Sequence, residues 1–243
     1  MIKLCLPPTP KFLTPQFIEE KTNKYKEDAS CHVWNIPELK KAVYEASYGK
    51  CVYSEIKLNE EGKYMHIDHF YPKSLYPEKV ILWGNLMASS SICNIKKKDT
   101  DPDRIDIVNP FEDDPKNHFY IQEGRLFAKD KKGRNTIEVC DLNNSSHLRN
   151  VRLKIERKLK DTLELIFENY KLCSPKAVEN LKTIMEECSR ENSFSATKST
   201  FVLKNMNYIY MKNDMTEKGI WSEAFQSLEK ELMFCCLPLH NNE

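Results

Sequence analysis

The fold turns on one stretch of sequence, His66-Ile67-Asp68-His69-Phe70-Tyr71-Pro72-Lys73-Ser74. We predict that residues 63–70 are extended, that Val52-Tyr53 forms an earlier extended piece, and that the polar residues 59–62 turn between them. A third extended piece over 81–87 precedes a short cationic helix over 92–98. The predicted order is therefore strand, loop, strand, helix.

Helical periodicity dominates the rest of the chain. From Leu148 onward, apolar residues recur at three- and four-residue steps as far as Tyr170, which predicts one long amphipathic helix. A β-hairpin is predicted over 118–129, turning at Glu123-Gly124. Further helices are predicted over 16–26, after Ile36-Pro37, after Ser174-Pro175, over 196–212 and over 217–234.

These elements predict an α+β protein that is mostly helical. We expect one compact unit overall that contains four parts with different secondary structure. The parts are a helical segment over 1–50, a strand–strand–helix module over 51–100, a loop and β-hairpin extension over 101–145, and a helical region over 146–243.

Composition and charge narrow the functional classes. The chain has 243 residues, 30% of them charged, and no apolar run long enough to cross a bilayer, so we expect a cytoplasmic protein with no membrane partner. Nine irregularly spaced cysteines favour reduced thiols over a disulfide framework. A net charge of +1 gives no general affinity for nucleic acid, so the basic clusters at 96–98, 129–134 and 149–160 must supply any phosphate contact.

The Asp68–His69 pair carries the types of group that phosphodiester hydrolysis needs. The reaction requires a base to activate water, a cation to neutralise the departing oxygen, and rigid positioning of both. An imidazole serves as a base near neutral pH, and a carboxylate with a nearby amide oxygen forms a site suited to Mg²⁺ or Mn²⁺. Alternation along a strand lets Asp68 and His69 point to opposite faces and take separate roles.

The pair, with Trp83-Gly84-Asn85-Leu86 and Cys93-Asn94, resembles the HNH nucleases, whose core is a ββα-metal module. The spacings of sixteen residues from His69 to Asn85 and nine from Asn85 to Asn94 match that family. The resemblance implies that His69 is the general base and that Asp68 and Asn94 hold one metal ion. It implies that Asn85 fixes the loop and the imidazole, that Lys73, Lys97 and Lys98 contact phosphate, and that cleavage leaves a 5′-phosphate.

Many HNH proteins brace this module with a zinc ion held by two C-x-x-C pairs. Here the corresponding pairs are Cys51-x-x-Ser54 and Ser90-x-x-Cys93, and each retains one cysteine. One interpretation keeps the zinc, with His66 or Cys31-His32 as substitute ligands. The interpretation that we favour is that zinc is lost and that Cys51 and Cys93 lie close together as free thiols.

A longer run of motifs over residues 35–160, including Cys51-x-Tyr-x-Glu55 and Asn109-Pro110, resembles the PtuB family, the HNH subunit of Septu anti-phage systems. Some members are attached to retrons. The resemblance implies an ABC/SMC-like ATPase partner, PtuA, and in retron systems a reverse transcriptase with its msDNA. It also implies a partner interface on the helices after Leu148 and substrate contacts through Arg149, Arg152, Arg157 and Lys158. For the C-terminal helices, the interpretation that we favour over a partner role is a solvated basic face that covers an intramolecular core.

We therefore predict a nuclease that acts on nucleic acid, with DNA as the favoured substrate. HNH chemistry acts on the phosphodiester group, so RNA such as tRNA is an alternative substrate. A second alternative is a catalytically silent module that binds nucleic acid or regulates a partner. The intact set of Asp68, His69, Asn85 and Asn94 argues against that second alternative.

Overall fold

The computed structural model describes residues 1–60 and 64–238, and in these ranges the protein is mostly helical with two small antiparallel sheets. This confirms the predicted α+β class. No helix in these ranges has the length and apolar character that a membrane crossing requires. The elements are α1 (Pro15–Glu27), α2 (Pro37–Ala46), β1 (Met65–His69), β2 (Leu86–Ser90), α3 (Ser91–Lys97), α4 (Pro115–His118), β3 (Phe119–Gln122), β4 (Arg125–Ala128), α5 (Lys131–Val139), α6 (Asn150–Lys171), α7 (Pro175–Glu186), α8 (Ser195–Lys204), α9 (Met206–Glu217) and α10 (Glu223–Cys235).

The chain divides into two compact units. The first unit contains residues 3–118 and 130–142, with the β1–β2 sheet and helices α1 to α5. The second unit contains residues 119–129 and the chain from 143 onward, with the β3–β4 hairpin and helices α6 to α10.

In the first unit, β1 and β2 pair antiparallel, with His69 opposite Leu86 and Met65 opposite Ser90. Every residue of β2 is buried, and α3 follows it directly. The Ser90 hydroxyl caps α3 by accepting a hydrogen bond from the Cys93 backbone N–H, as expected of serine at a helix start. The order of these elements is strand, loop, strand, helix.

Three details of the predicted strands differ from the structure. Val52-Tyr53 is not a strand, because the Cys51 N–H bonds to the Ile56 carbonyl and reverses the chain there. The strand predicted over 81–87 starts later, at Leu86, because residues 83–85 form a helical turn. The predicted start of β1 at Lys63, and part of the turn over 59–62, lie outside the described residues.

In the second unit, the predicted long helix is α6, and its buried residues Leu159, Leu163 and Ile166 pack into a core shared with α7 to α10. The helix predicted over 196–212 is instead two helices, α8 and α9. Asn205 separates them because its side chain accepts hydrogen bonds from the first N–H groups of α9. The last helix starts at Glu223, and not at 217 as predicted.

The β3–β4 hairpin is confirmed, and it turns at Glu123-Gly124 as predicted. Helix α5 was not predicted, although it follows the hairpin directly. Asp130 caps it by accepting a hydrogen bond from the Gly133 N–H. Within its span only Gly133 and Thr136 are buried, which leaves little apolar periodicity in the sequence.

Two separate constraints require a glycine at position 124. Its φ of +68° is unfavourable for residues with a Cβ, and an added Cβ would lie 2.8 Å from the Leu153 nitrogen in the first turn of α6 and 2.9 Å from the oxygen of Arg149, which precedes α6. Gly219 has the same φ of +68° but no neighbour within 4 Å of an added Cβ. Substitutions at the two glycines therefore allow the cost of backbone strain to be measured separately from the cost of steric overlap.

We expect Gly219→Ala to lower the free energy of unfolding by about 1–2 kcal/mol, the cost of a left-handed non-glycine residue. We expect Gly124→Ala to cost about 1–3 kcal/mol more, because α6 must also move away. Urea unfolding of both variants measures the difference. Equal losses in the two variants would mean that the close approach to α6 contributes nothing.

Candidate active site

His69 lies at the end of β1 and is 6% exposed. Its Nε2 is 2.9 Å from the Val80 carbonyl oxygen, which can only accept a hydrogen bond, so Nε2 carries the proton and Nδ1 of the neutral ring keeps a free lone pair. Burial lowers the pKa of His69 to about 4, and the positive charges of Lys73 and Lys97 act in the same direction. The imidazole is therefore neutral at pH 7 and has a free basic nitrogen.

Asp68, the preceding residue, has both carboxylate oxygens engaged. The Tyr53 hydroxyl donates to Oδ2 at 2.7 Å, and the Lys97 ammonium lies 3.3 Å from Oδ1. Burial raises the pKa of Asp68, while Lys97 and the Tyr53 hydrogen bond oppose that rise. Each carboxylate oxygen has two lone pairs, so these contacts leave capacity for a further ligand.

Lys97 is not placed to contact phosphate, contrary to the prediction. Its side chain is fully buried, and its ammonium also donates to the His69 backbone carbonyl at 2.7 Å. Lys97 lies one helical turn after Cys93, which is buried on the same face of α3, so its stem follows that face inward. It acts as the internal counter-ion of Asp68.

Asn85 holds the loop that connects β1 to β2. Its amide nitrogen donates to the carbonyls of Tyr71 and Lys79, and its amide oxygen accepts from the Tyr71 N–H. The Lys79 carbonyl is next along the chain to Val80, whose carbonyl accepts from His69. Asn85 is buried and holds the backbone of this loop, and its role in orienting the His69 imidazole stays a prediction.

A cavity of about 520 Å³ opens beside the pair, and Asp68, His69, Asn94, Lys73 and Lys98 all line it. The structure thus brings together five of the residues chosen from the sequence. Further lining residues are His32, Trp34, Asn35, Lys40, Met65, His66, Ile67, Pro72, Ile95 and Asp99.

Asp68 and Asn94 are the oxygen donors in this cavity that the sequence assigned to a metal ion, and the Asp99 carboxylate and the Asn35 amide also line it. The Asn94 amide nitrogen lies 3.5 Å from Nδ1 of His66, which orients the amide and leaves its oxygen without that contact. Mg²⁺ binds oxygen ligands, keeps several waters, and often uses only one or two protein groups together with substrate phosphate. The donor set therefore fits a single weakly held Mg²⁺ or Mn²⁺.

The loop between α1 and α2 contributes two residues that the sequence did not identify as part of a catalytic centre. The ring of Trp34 packs edge-on against His69 with 4.9 Å between centroids, and the ring of His32 lies 5.1 Å from Trp34. Tyr53 was also missed, although it belongs to the Cys51-x-Tyr-x-Glu55 motif. No periodic pattern marks the loop residues, so only the tertiary structure places them.

Cys51 and Cys93, the remnants of the zinc pairs, are buried, are not joined in a disulfide, and lie close enough to share a side-chain hydrogen bond. This bond, together with burial, raises the pKa of the Cys93 thiol, which stays protonated. The Cys51 sulfur also meets Ser54 and the Ser90 backbone. A serine hydroxyl is not ionised at neutral pH and is a poor zinc ligand, so these four residues do not fit a tetrahedral thiolate site.

The proposed substitutes for the missing zinc ligands do not complete such a site. In the two described ranges, no group of three or more His, Cys, Asp or Glu side chains is arranged to hold a metal ion. His66 lies beside Asn94 in the cavity, and the Cys31 thiol bonds to Asp28. Loss of the zinc stays our prediction, and it rests on the poor zinc-binding chemistry of the two serine hydroxyls.

The arginines expected to contact substrate belong to the second unit. Arg149 is exposed, but Arg152 is only 3% exposed and its guanidinium lies 3.4 Å from the Gly124 carbonyl, which it donates to. The prediction that Arg152 contacts phosphate is therefore wrong, because this side chain is used to hold the β3–β4 turn against α6.

Sequence comparison agrees with the predicted relationship. The Septu protein PtuB of Bacillus thuringiensis is 34% identical to this chain over 221 residues, an alignment that covers 86% of each protein. No family model matches the chain.

Lys97 and its neighbour Lys96 allow a matched test of the buried ion pair. Lys97→Met leaves Asp68 buried without its counter-ion, and we expect a loss of about 3–5 kcal/mol in the free energy of unfolding. Lys96 is 56% exposed in its side chain and 3.6 Å from Asp141, so Lys96→Met is expected to cost at most about 1 kcal/mol. Urea unfolding measures both, and a similar small loss in both variants would refute the structural role of Lys97.

The lowered pKa of His69 predicts how stability depends on pH. In the unfolded chain His69 takes up a proton near its ordinary pKa of 6.5, whereas in the folded protein it does so only near 4. Protonation therefore favours the unfolded chain as the pH falls from 6.5 to 4.

Between pH 7 and pH 5, we expect the wild type to lose about 2 kcal/mol more stability than His69→Gln. Denaturant unfolding at the two pH values, in the presence of a chelator, measures this difference. The same pH dependence in both proteins would show that His69 titrates normally in the folded state.

Proposed function

The chain belongs to the PtuB family of Septu proteins, and from this premise we propose that it is the metal-dependent HNH endonuclease subunit of an anti-phage defence complex. The observation that carries the proposal is the free Nδ1 of a neutral, buried His69 at the wall of a cavity that Asp68 and Asn94 also line. On this proposal β1, β2 and α3 are the ββα-metal module.

His69 is the general base. Its Nε2–H is fixed on the Val80 carbonyl, so the ring presents Nδ1 to a water molecule in the cavity and takes the proton as that water attacks phosphorus. The Val80 carbonyl then stabilises the positive charge that develops on the ring. The pKa of about 4 keeps this base unprotonated throughout the physiological range.

Asp68 and the Asn94 amide oxygen would hold one Mg²⁺ or Mn²⁺, which supplies charge neutralisation at the departing oxygen. The nearby Lys97 ammonium reduces the negative charge that Asp68 offers, which favours binding of the cation together with the substrate phosphate. Lys73 and Lys98 line the same cavity and supply positive charge for the scissile phosphate. Asn85 acts through the loop that it holds, and is a positioning residue.

The proposed partner is the ATPase PtuA, which would restrain or license the nuclease in the cytoplasm. Where the system is part of a retron, the reverse transcriptase and its msDNA would join the complex. DNA is the proposed substrate, and RNA remains the competing one because the chemistry at phosphorus is the same for both polymers.

We expect His69→Ala to lower metal-dependent cleavage by at least about 100-fold, the typical contribution of a general base. The assay uses the complex with PtuA and Mg²⁺ or Mn²⁺, and compares plasmid, single-stranded DNA and total RNA. His147→Ala, which removes an exposed histidine from the second unit, is the matched control and should keep full activity.

Full cleavage by His69→Ala would refute the assignment of the base. If the wild-type complex cleaves none of the three substrates with either metal, the nuclease proposal itself fails, and the silent module becomes the better hypothesis.

A further inference from the structure

The cavity has an aromatic wall that the hydrolytic mechanism does not use. His32 and Trp34 form it, with 5.1 Å between their ring centroids and 34° between their planes. Trp34 is half-buried and packs against His69, so packing alone explains its position. His32 is exposed on top of Trp34, and the burial of His69 does not account for it.

Positive charge surrounds these two rings. Lys40, Lys73 and Lys98 line the cavity, and the Lys73 ammonium lies 5.1 Å from the centre of the Trp34 ring. The acidic residues in the lining are Asp68, which Lys97 neutralises, and Asp99. The cavity therefore combines a flat aromatic surface with an excess of positive charge, which suits a ligand that has both a π-face and a negative group.

We propose that this wall is a subsite for an unpaired nucleotide, and that the substrate is single-stranded at the cleavage position. The base stacks on the exposed ring of His32, which lies over Trp34, and the adjoining phosphates meet Lys40 and Lys73. Base–aromatic stacking is tolerant of sequence because every base has a π-face. In a duplex both faces of a base are covered by the neighbouring pairs, so only an unpaired base can use this wall.

The size of the cavity agrees with such a ligand. Its volume of about 520 Å³ lies within the range of sites that hold a molecule of nucleotide size or larger. The inference rests on the proposed function, because it assigns the substrate class of the same site. The inference is tested by binding, whereas the proposed nuclease activity is tested by cleavage, so either can fail without the other.

The test measures binding of fluorescein-labelled oligonucleotides to the full chain by anisotropy, in a chelator so that no hydrolysis occurs. Single-stranded DNA, single-stranded RNA and a duplex of the same DNA sequence are compared at one salt concentration. The variants are His32→Ala and, as the matched control, His147→Ala, which removes an exposed histidine of the second unit.

We expect His32→Ala to weaken binding of single strands by about 5-fold or more, the lower end of what stacking contributes. Duplex binding should change by less than about 2-fold, and His147→Ala should change neither. The DNA and RNA arms show which polymer gains more from the wall. An equal loss for single strands and duplex, no loss for single strands, or no detectable single-strand binding by the wild type would overturn the proposal.

A second readout does not depend on affinity. With 2-aminopurine in the single strand, stacking on the wall quenches its fluorescence, and His32→Ala should remove at least half of that quenching at saturating protein. The His147→Ala variant should quench as the wild type does, because that histidine is exposed in the second unit and is not part of the wall. Unchanged quenching in His32→Ala would contradict the subsite even if the nuclease assignment holds.

Discussion

The ammonium of Lys97 lies where β1 and α3 meet, and the geometry of the candidate centre depends on it. It contacts the Asp68 carboxylate and the His69 carbonyl at once, so one charge neutralises the buried acid and fixes the end of the strand. A buried carboxylate without a partner would lose its charge or destabilise the fold. The Tyr53 hydroxyl bonds the same carboxylate from the 51–56 turn. Two segments, α3 and the 51–56 turn, therefore converge on Asp68 of β1, and His69 takes its position from them.

Some residues of the candidate active site hold its backbone and carboxylate groups in place, and others face the cavity. Lys97, Tyr53 and Asn85 are buried and satisfy backbone or carboxylate groups. Asn94, Lys73 and Lys98 face the cavity with polar groups that remain available to a ligand. His69 belongs to both groups, because one ring nitrogen bonds Val80 and the other stays free. Such fixed positioning around one free base is what hydrolysis requires.

Sequence reasoning succeeded where a pattern is local. The period of α6 and the glycine turn of the β3–β4 hairpin identified those elements, and the run of motifs over residues 35–160 identified the PtuB family. It failed where the environment of a residue depends on contacts with distant segments of the chain. Lys97 and Arg152 carry charges that suggest phosphate contact, yet both are buried as internal partners. For Lys97 the sequence did contain a local signal of burial, because Lys97 lies one helical turn after Cys93, which is buried. No signal in the sequence brings Trp34 to His69, because they come from different segments of the unit.

On the proposed function, one divalent cation binds at Asp68 and Asn94 beside His69. The most direct measurement is a titration of the full chain with Mn²⁺, followed by NMR of the histidine rings. Bound Mn²⁺ broadens the signals of nuclei near it, so we predict selective loss of the signals of His32, His66 and His69, which line the same cavity. The loss should require much more Mn²⁺ in Asn94→Ala. Broadening centred elsewhere, or unchanged broadening in Asn94→Ala, would contradict the proposed cation site.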